Sequence, residues 1–194
     1  MILLKYGNTN TFYIPGNGKG LLVDTDSAGT LPAFYRAIKA NGIRIKDIAY
    51  VLATHYHPDH IGLIGECMKQ GATLLLLPSQ IGAVHFADAI YGRNKRISYT
   101  PIDETAAKVI PWEESRAFLG EIGIHGEIIP TPSHSEDSIS LLLDSGDCIV
   151  GDLEPIDYLN AYDDHPVLKK DWERVLRCKP KRIFYGHANP KTIP

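Results

Sequence analysis

The chain has 194 residues and a formal net charge of −3, from 20 basic against 23 acidic residues. Its length fits one domain over residues 1–194, and 44% hydrophobic with 22% charged residues excludes a disordered, collagen-like or coiled-coil protein. Without a basic excess, a nucleic-acid or anionic-membrane partner is not expected, and no stretch approaches the roughly 18 apolar residues of a membrane span.

Ile2–Tyr6, Thr11–Ile14 and Gly20–Asp24 read as short strands separated by turn-rich Gly7-Asn8 and Pro15-Gly16-Asn17-Gly18. Leu31–Ala40 has helical apolar spacing, and Asn41-Gly42 stops it. Asp47–Ala53 reads as a buried strand, a helix is predicted over Pro58–Lys69, and Thr73–Leu77 reads as another buried strand. A further helix is predicted over Ser79–Tyr91, and Arg93–Glu121 reads as irregular with a short strand or two. Gly126–Pro130, Ser138–Leu143 and Asp147–Gly151 are predicted strands, Val167–Arg177 an amphipathic helix and Arg182–Tyr185 a last strand. Strands in runs interrupted by helices describe a layered α/β or α+β domain. The N-terminal apolar run ends at Lys5, too short for an export signal. Cys67, Cys148 and Cys178 form no CxxC pair, which fits buried, reduced thiols in a cytoplasmic protein.

The chemistry is concentrated in Thr54-His55-Tyr56-His57-Pro58-Asp59-His60, directly after a predicted strand. His55 and His57 are two apart, so in extended chain they point the same way. Pro58 suits the first position of a helix, which turns the chain and lets Asp59 and His60 face a neighbouring point. Neutral imidazole and carboxylate are ligands for zinc and iron. A single loop histidine is usually incidental; four potential ligands in six residues are not.

This string matches the HxHxDH signature and resembles the metallo-β-lactamase fold superfamily. Thr131-Pro132-Ser133-His134-Ser135 is similar to the family's T-P-G-H segment, Gly151-Asp152-Leu153 to its later aspartate, and Tyr185-Gly186-His187 to its final histidine segment. Leu22-Val23-Asp24-Thr25 resembles its strand-end aspartate motif. The resemblance implies a four-layer αββα sandwich with a dinuclear metal site. His55, His57 and His134 would bind one ion, Asp59, His60 and His187 the other, and Asp152 would bridge. Zinc is the expected metal, and iron or manganese are compatible. Asp59 would also orient the nucleophilic water and shuttle its proton, as the catalytic residue. Asp24 is a candidate to hold a ligand loop or a histidine N–H from behind. Ser133 replaces the family's usual glycine, which raises the question of a changed backbone angle before His134.

Asp152 separates branches of the family. Its β-lactamases generally carry a cysteine there and are mostly exported, so antibiotic hydrolysis is not expected. An aspartate bridge resembles the glyoxalase II, lactonase and phosphodiesterase branches. Glyoxalase II proper has a C-terminal helical region, whereas seven residues follow His187 here, so a short homologue is expected. The implied activity is hydrolysis of a small ester-like bond, a thioester or lactone, in a small-molecule substrate. A mononuclear iron persulfide dioxygenase, which uses two histidines and one aspartate, is the competing enzyme, and a non-catalytic binding module the competing non-enzyme. Substrate contacts could come from Tyr56, from Phe86, Tyr91, Tyr99 and Trp112, or from Tyr158, Tyr162 and His165, although packing is the commoner role for such residues. Arg93, Lys95 and Arg96 form a small basic cluster, read as a solvated face or an anionic-substrate contact.

Overall fold

The computed structural model describes residues 1–94, 96–160 and 165–193, so Lys95 and Tyr162 lie outside the described residues. The elements run β1 (Ile2–Leu4), β2 (Thr11–Pro15), β3 (Gly20–Val23), α1 (Leu31–Ala40), β4 (Ile48–Leu52), α2 (Pro58–Ile61), α3 (Ile64–Lys69) and β5 (Thr73–Leu76). They continue through α4 (Asp88–Gly92), β6 (Lys108–Val109), α5 (Ser115–Glu121), β7 (Gly126–Pro130), β8 (Ile139–Leu143), β9 (Asp147–Gly151), α6 (Pro166–Arg177), β10 (Arg182–Tyr185) and β11 (Lys191–Thr192).

One sheet has the order β1-β2-β3-β4-β5-β6 and the other β11-β10-β9-β8-β7. In the first, β3, β4, β5 and β6 pair in parallel after an antiparallel start. In the second, β9 and β10 are the parallel pair. Strand alternation explains how two sheets make three cores. Leu21 and Val23 of β3 face the second sheet and join Phe12, Leu52, Leu75, Leu141, Ile149 and Phe184. Leu22 faces the other way, onto Phe34 and Ile38 of α1 and Ile64 and Cys67 of α3. The far side of the second sheet packs Cys148, Val150 and Ile183 against Leu168, Trp172 and Val175 of α6. The result is the αββα layer order that the sequence resemblance implies.

Four expectations need correction. The helix over 58–69 is two pieces, α2 and α3, broken at Gly62-Leu63. The N–H of Leu63 donates to Thr25 Oγ1 at 3.1 Å, and a Cβ on Gly62 would lie 2.0 Å from the backbone nitrogen of Ala28. Close packing under the 26–28 turn overrides helical continuity. The helix over 79–91 is a 3₁₀ turn over Pro78–Ala83 followed by the short α4. Gln80 is fully buried there, with its Oε1 accepting from the Leu77 N–H and its Nε2 donating to the Ala53 carbonyl. The stretch over 93–121 holds an expected short strand, edge strand β6, but also the unforeseen helix α5, which buries Phe118 and Leu119. Ser115 seats α5 on β7 by accepting from the Ile128 N–H at 2.9 Å. Cys67 and Cys148 are buried, but Cys178 is exposed where the chain leaves α6.

The tight approach at Gly62 makes a measurable difference. Gly62→Ala is expected to destabilise the protein by about 1–3 kcal/mol through overpacking against backbone. Gly120→Ala, in α5 with open space around the new Cβ, is expected to be neutral or to stabilise by up to about 1 kcal/mol. Urea unfolding of both variants checks the contrast.

Candidate metal centre

The C-terminal ends of parallel strands β3, β4, β9 and β10 meet at one edge of the sandwich, where open α/β sheets place their ligands. Asp24 follows the last residue of β3, β4 runs into Thr54–His60, Asp152 follows the last residue of β9 and β10 runs into His187. The two sheets are stitched here by Ile139 N–H to Thr54 O at 2.8 Å. Gly151, at φ 58°, permits the approach, because a Cβ would sit 2.5 Å from Thr54 Oγ1. Gly186 is required by the site as well: its Cβ would fall 2.4 Å from Asp152 Oδ1.

Donor atoms from His55, His57 and His134 lie within 4.8 Å of one another, as do those from Asp59, His60 and His187 and those from His55, His60 and Asp152. The carboxylate of Asp152 is the shared centre. It lies 3.9 Å from both His55 Nε2 and His134 Nε2 and 3.4 Å from both His60 Nε2 and His187 Nε2. Asp59 Oδ2 is 3.2 Å from His187 Nε2. His55 and His60 are buried, whereas His134 and His187 are exposed, so the cluster opens to solvent on one side. That opening is a cleft of about 260 Å³ lined by His134, Asp152, Leu153, Pro155, His187 and Ala188 among others.

The remaining ring nitrogens explain the aim of the donors. Asp24 is buried; its Oδ2 is 3.0 Å from His60 Nδ1 and also accepts from Thr54 Oγ1, while Oδ1 accepts from the Thr54 N–H. A carboxylate accepts, so His60 carries its proton on Nδ1 and turns Nε2 inward. His187 Nδ1 faces the Asn8 carbonyl at 3.2 Å, with the same consequence. Asp24 has φ 55°, a left-handed conformation uncommon for a non-glycine residue; its three contacts at the site hold it there.

The electrostatics follow. Burial, together with the neighbouring histidines, depresses His55 to about 2 despite the opposing Asp152 charge. Burial would depress His60 too, but the Asp24 and Asp152 carboxylates outweigh it and raise it to about 10. Burial would raise Asp152, but the attraction of His60, whose Nε2 lies 3.4 Å away, and of the other surrounding histidines lowers it to about 2. Burial lowers His134. His55 Nε2 and Asp152 Oδ1 are buried without a hydrogen-bond partner, an arrangement costing roughly 1–3 kcal/mol per atom. A cation among these lone pairs would satisfy both atoms, so the donor set fits divalent metal.

Several supporting residues carried no sequence signal. Asp137 Oδ2 accepts from the Tyr56 N–H at 2.6 Å and holds the His55–His57 turn. Asn10 Nδ2 donates to the Tyr185 and Ala188 carbonyls, clasping the His187 turn. Each acts on backbone far away in sequence, which no local spacing reveals. Ser133 is not among the described non-glycine residues with positive φ, which are Asp24 and Lys179, so the missing glycine introduces no left-handed strain. Among the substrate-contact candidates, Tyr56 is buried in the core, Tyr91 donates to the Pro58 carbonyl, and His165 caps α6. Tyr99 donates to Asp88, while Trp112 lines a separate groove. Phe86 is exposed with its ring 5.9 Å from that of His57, and Tyr158 is exposed after the cleft. Arg93 and Arg96 are exposed.

The sequence matches the family Metallo-beta-lactamase superfamily over residues 4–187. It is 26% identical over 186 residues to a beta-lactamase-like protein 2 homolog of Drosophila melanogaster, covering 93% of this chain and 59% of that protein. It is 28% identical over 155 residues to a probable metallo-hydrolase of Methanocaldococcus jannaschii, covering 76% of this chain and 68% of that one. Among solved structures, TTHA1623 in a di-iron-bound form superposes with a TM-score of 0.69 at 21% identity, over 98% of this chain and 93% of that one. A putative metallo-beta-lactamase from Thermotoga maritima gives a TM-score of 0.71 at 20% identity, over 98% and 91%. The chain therefore belongs to the metallo-β-lactamase superfamily, a metallo-hydrolase superfamily whose members bind divalent metals. It spans about three-fifths of the Drosophila relative, 59% of that length. No described helix is long and apolar enough to cross a membrane.

Two predictions arise from the hydrogen-bonded His60. In Asp24→Asn an amide N–H would face His60 Nδ1 and favour the tautomer whose Nε2 carries the proton. Asparagine tolerates positive φ, so the fold survives while affinity for divalent metal falls about 10–100-fold, read by competition with a chelating dye. Metal binding to the metal-free protein is also expected to release a proton from His60. Raised to about 10, His60 is protonated at neutral pH in the metal-free protein. Metal must displace that proton, so binding weakens as pH falls and proton release fades above about 10. Calorimetry in two buffers of different ionisation enthalpy measures it.

Proposed function

We propose that this protein is a dinuclear metal hydrolase acting on a small, ester-like substrate, a thioester or lactone, with zinc as the first metal and iron or manganese as compatible alternatives. The observation that carries the proposal is the pair of three-residue donor sets, His55–His57–His134 and Asp59–His60–His187, with Asp152 within 3.9 Å of a histidine from each. When bound, two divalent ions would acidify a water and polarise the carbonyl under attack.

The chain's own residues supply the rest. Asp24 and the Asn8 carbonyl hold His60 and His187 with Nε2 inward. Asp59 is partly exposed, with its Oδ2 3.2 Å from His187 Nε2, and on this reading it would orient the attacking water and accept its proton. A cleft of about 260 Å³ lies just below the roughly 300–1,000 Å³ of ordinary ligand sites, which supports a small substrate. Leu153, Pro155 and Ala188 give it an apolar wall. A phosphodiester substrate is the neighbouring alternative on the same chemistry. A second reading, a mononuclear iron persulfide dioxygenase, is favoured only by the His55–His60–Asp152 grouping, a two-histidine, one-carboxylate set.

Elemental analysis of purified protein, with thioester, lactone and phosphodiester substrates assayed under each metal, tests the proposal. Two ions per chain and ester-bond hydrolysis are expected. Asp59→Asn is expected to lower kcat about 10²–10⁴-fold, the range of a lost general base. One iron per chain with oxygen uptake on a persulfide would establish the second reading instead.

A further inference from the structure

His134 stands on a turn that is tied down from beneath by α6. Asp171 of α6 has no solvent exposure, and its Oδ2 accepts from the Ser133 N–H at 2.8 Å. Its Oδ1 accepts from Arg174 at 3.1 Å, and the same Arg174 nitrogen donates to the Pro130 carbonyl at 3.1 Å. Both ends of the 130–133 segment are thus fastened to one helix. Trp172 of α6 adds a third tie, donating from Nε1 to the Glu154 carbonyl at 2.9 Å, just after Asp152. The turn then passes the constraint on, since Asp137 at its far end holds the Tyr56 N–H between His55 and His57.

A buried carboxylate is a poor way to stabilise a helix against a sheet, because a well-packed apolar residue is often neutral or better. Leu168, Trp172 and Val175 already supply the apolar face of α6. What Asp171 adds is a fixed position for one backbone N–H, immediately before His134. We propose that Asp171 is a positioning residue for the His55–His57–His134 subsite, so that the metal affinity of this subsite is set from α6. The Asp59–His60–His187 subsite has its own buried carboxylate at His60 Nδ1, that of Asp24. The proposal rests on the reading above that His134 is a metal ligand.

The test is a cobalt(II) titration of the metal-free full chain, followed by its visible absorption. His134→Ala and His187→Ala identify which binding step belongs to which subsite. Asp171→Ala is expected to weaken the His134-dependent step about 10–100-fold, the usual range for residues that orient ligands, and to leave the other step unchanged. Asp171→Asn restores the affinity, because an amide oxygen still accepts from the Ser133 N–H. Should the alanine variant not fold, Arg174→Met, at a partly exposed site, is expected to weaken the same step selectively. Equal weakening of both steps alongside a lower melting temperature of the metal-free protein would mean a merely structural role and overturn the proposal, as would no change in either step. If His134→Ala itself leaves both steps intact, the metal-ligand reading has failed and the proposal falls with it. Failure at Asp171 alone leaves that reading standing.

Discussion

Five imidazoles and two carboxylates crowd one edge of the sandwich, with Asp152 within 3.9 Å of four of the rings. Lone pairs packed this closely repel one another unless a positive charge lies between them. Protons meet the demand only in part: His60 is driven up, but burial drives His55 down and leaves its Nε2 without a partner. The residues around the cluster can be understood as what is needed to hold such donors in place.

That holding is done by buried carboxylates acting on backbone as much as on rings. Asp24 fixes Thr54 and His60, Asp137 fixes Tyr56, and Asp171 fixes Ser133. Each charge-assisted hydrogen bond to an N–H is stronger than a neutral one. Glycines at 151 and 186 do the complementary work of removing bulk, so that the ends of β9 and β10 can come up against β4 and its loop. The two halves of the sandwich therefore meet through polar ties at the site and through an apolar core behind it.

Much of this was legible in the sequence. The strand and ligand pattern stands out because HxHxDH compresses four donors into six residues after an apolar run, and because His134, Asp152 and His187 each follow or precede a readable strand. The layer order follows from strands whose alternate residues face different cores, as Leu21 and Leu22 do. What could not be read locally was set by distant packing. Gly62-Leu63 breaks a helix because of Thr25 and Ala28, and Gln80 prevents another by turning inward to Ala53. Asp137, Asp171 and Asn10 look like ordinary polar residues in sequence, since their partners are backbone groups 38 to 178 positions away. Aromatic candidates divided by the same rule: Tyr56 and Tyr91 went to packing and to a carbonyl, whereas Phe86 stayed exposed beside His57.

The proposed dinuclear reading has Asp152 between two metal subsites rather than in one. Anomalous diffraction from a crystal of metal-loaded protein, recorded on both sides of the metal's absorption edge, tests it most directly. Two peaks are predicted, one among His55, His57 and His134 and one among Asp59, His60 and His187, with the Asp152 carboxylate between them. A single peak held by His55, His60 and Asp152, at saturating metal, would contradict the account.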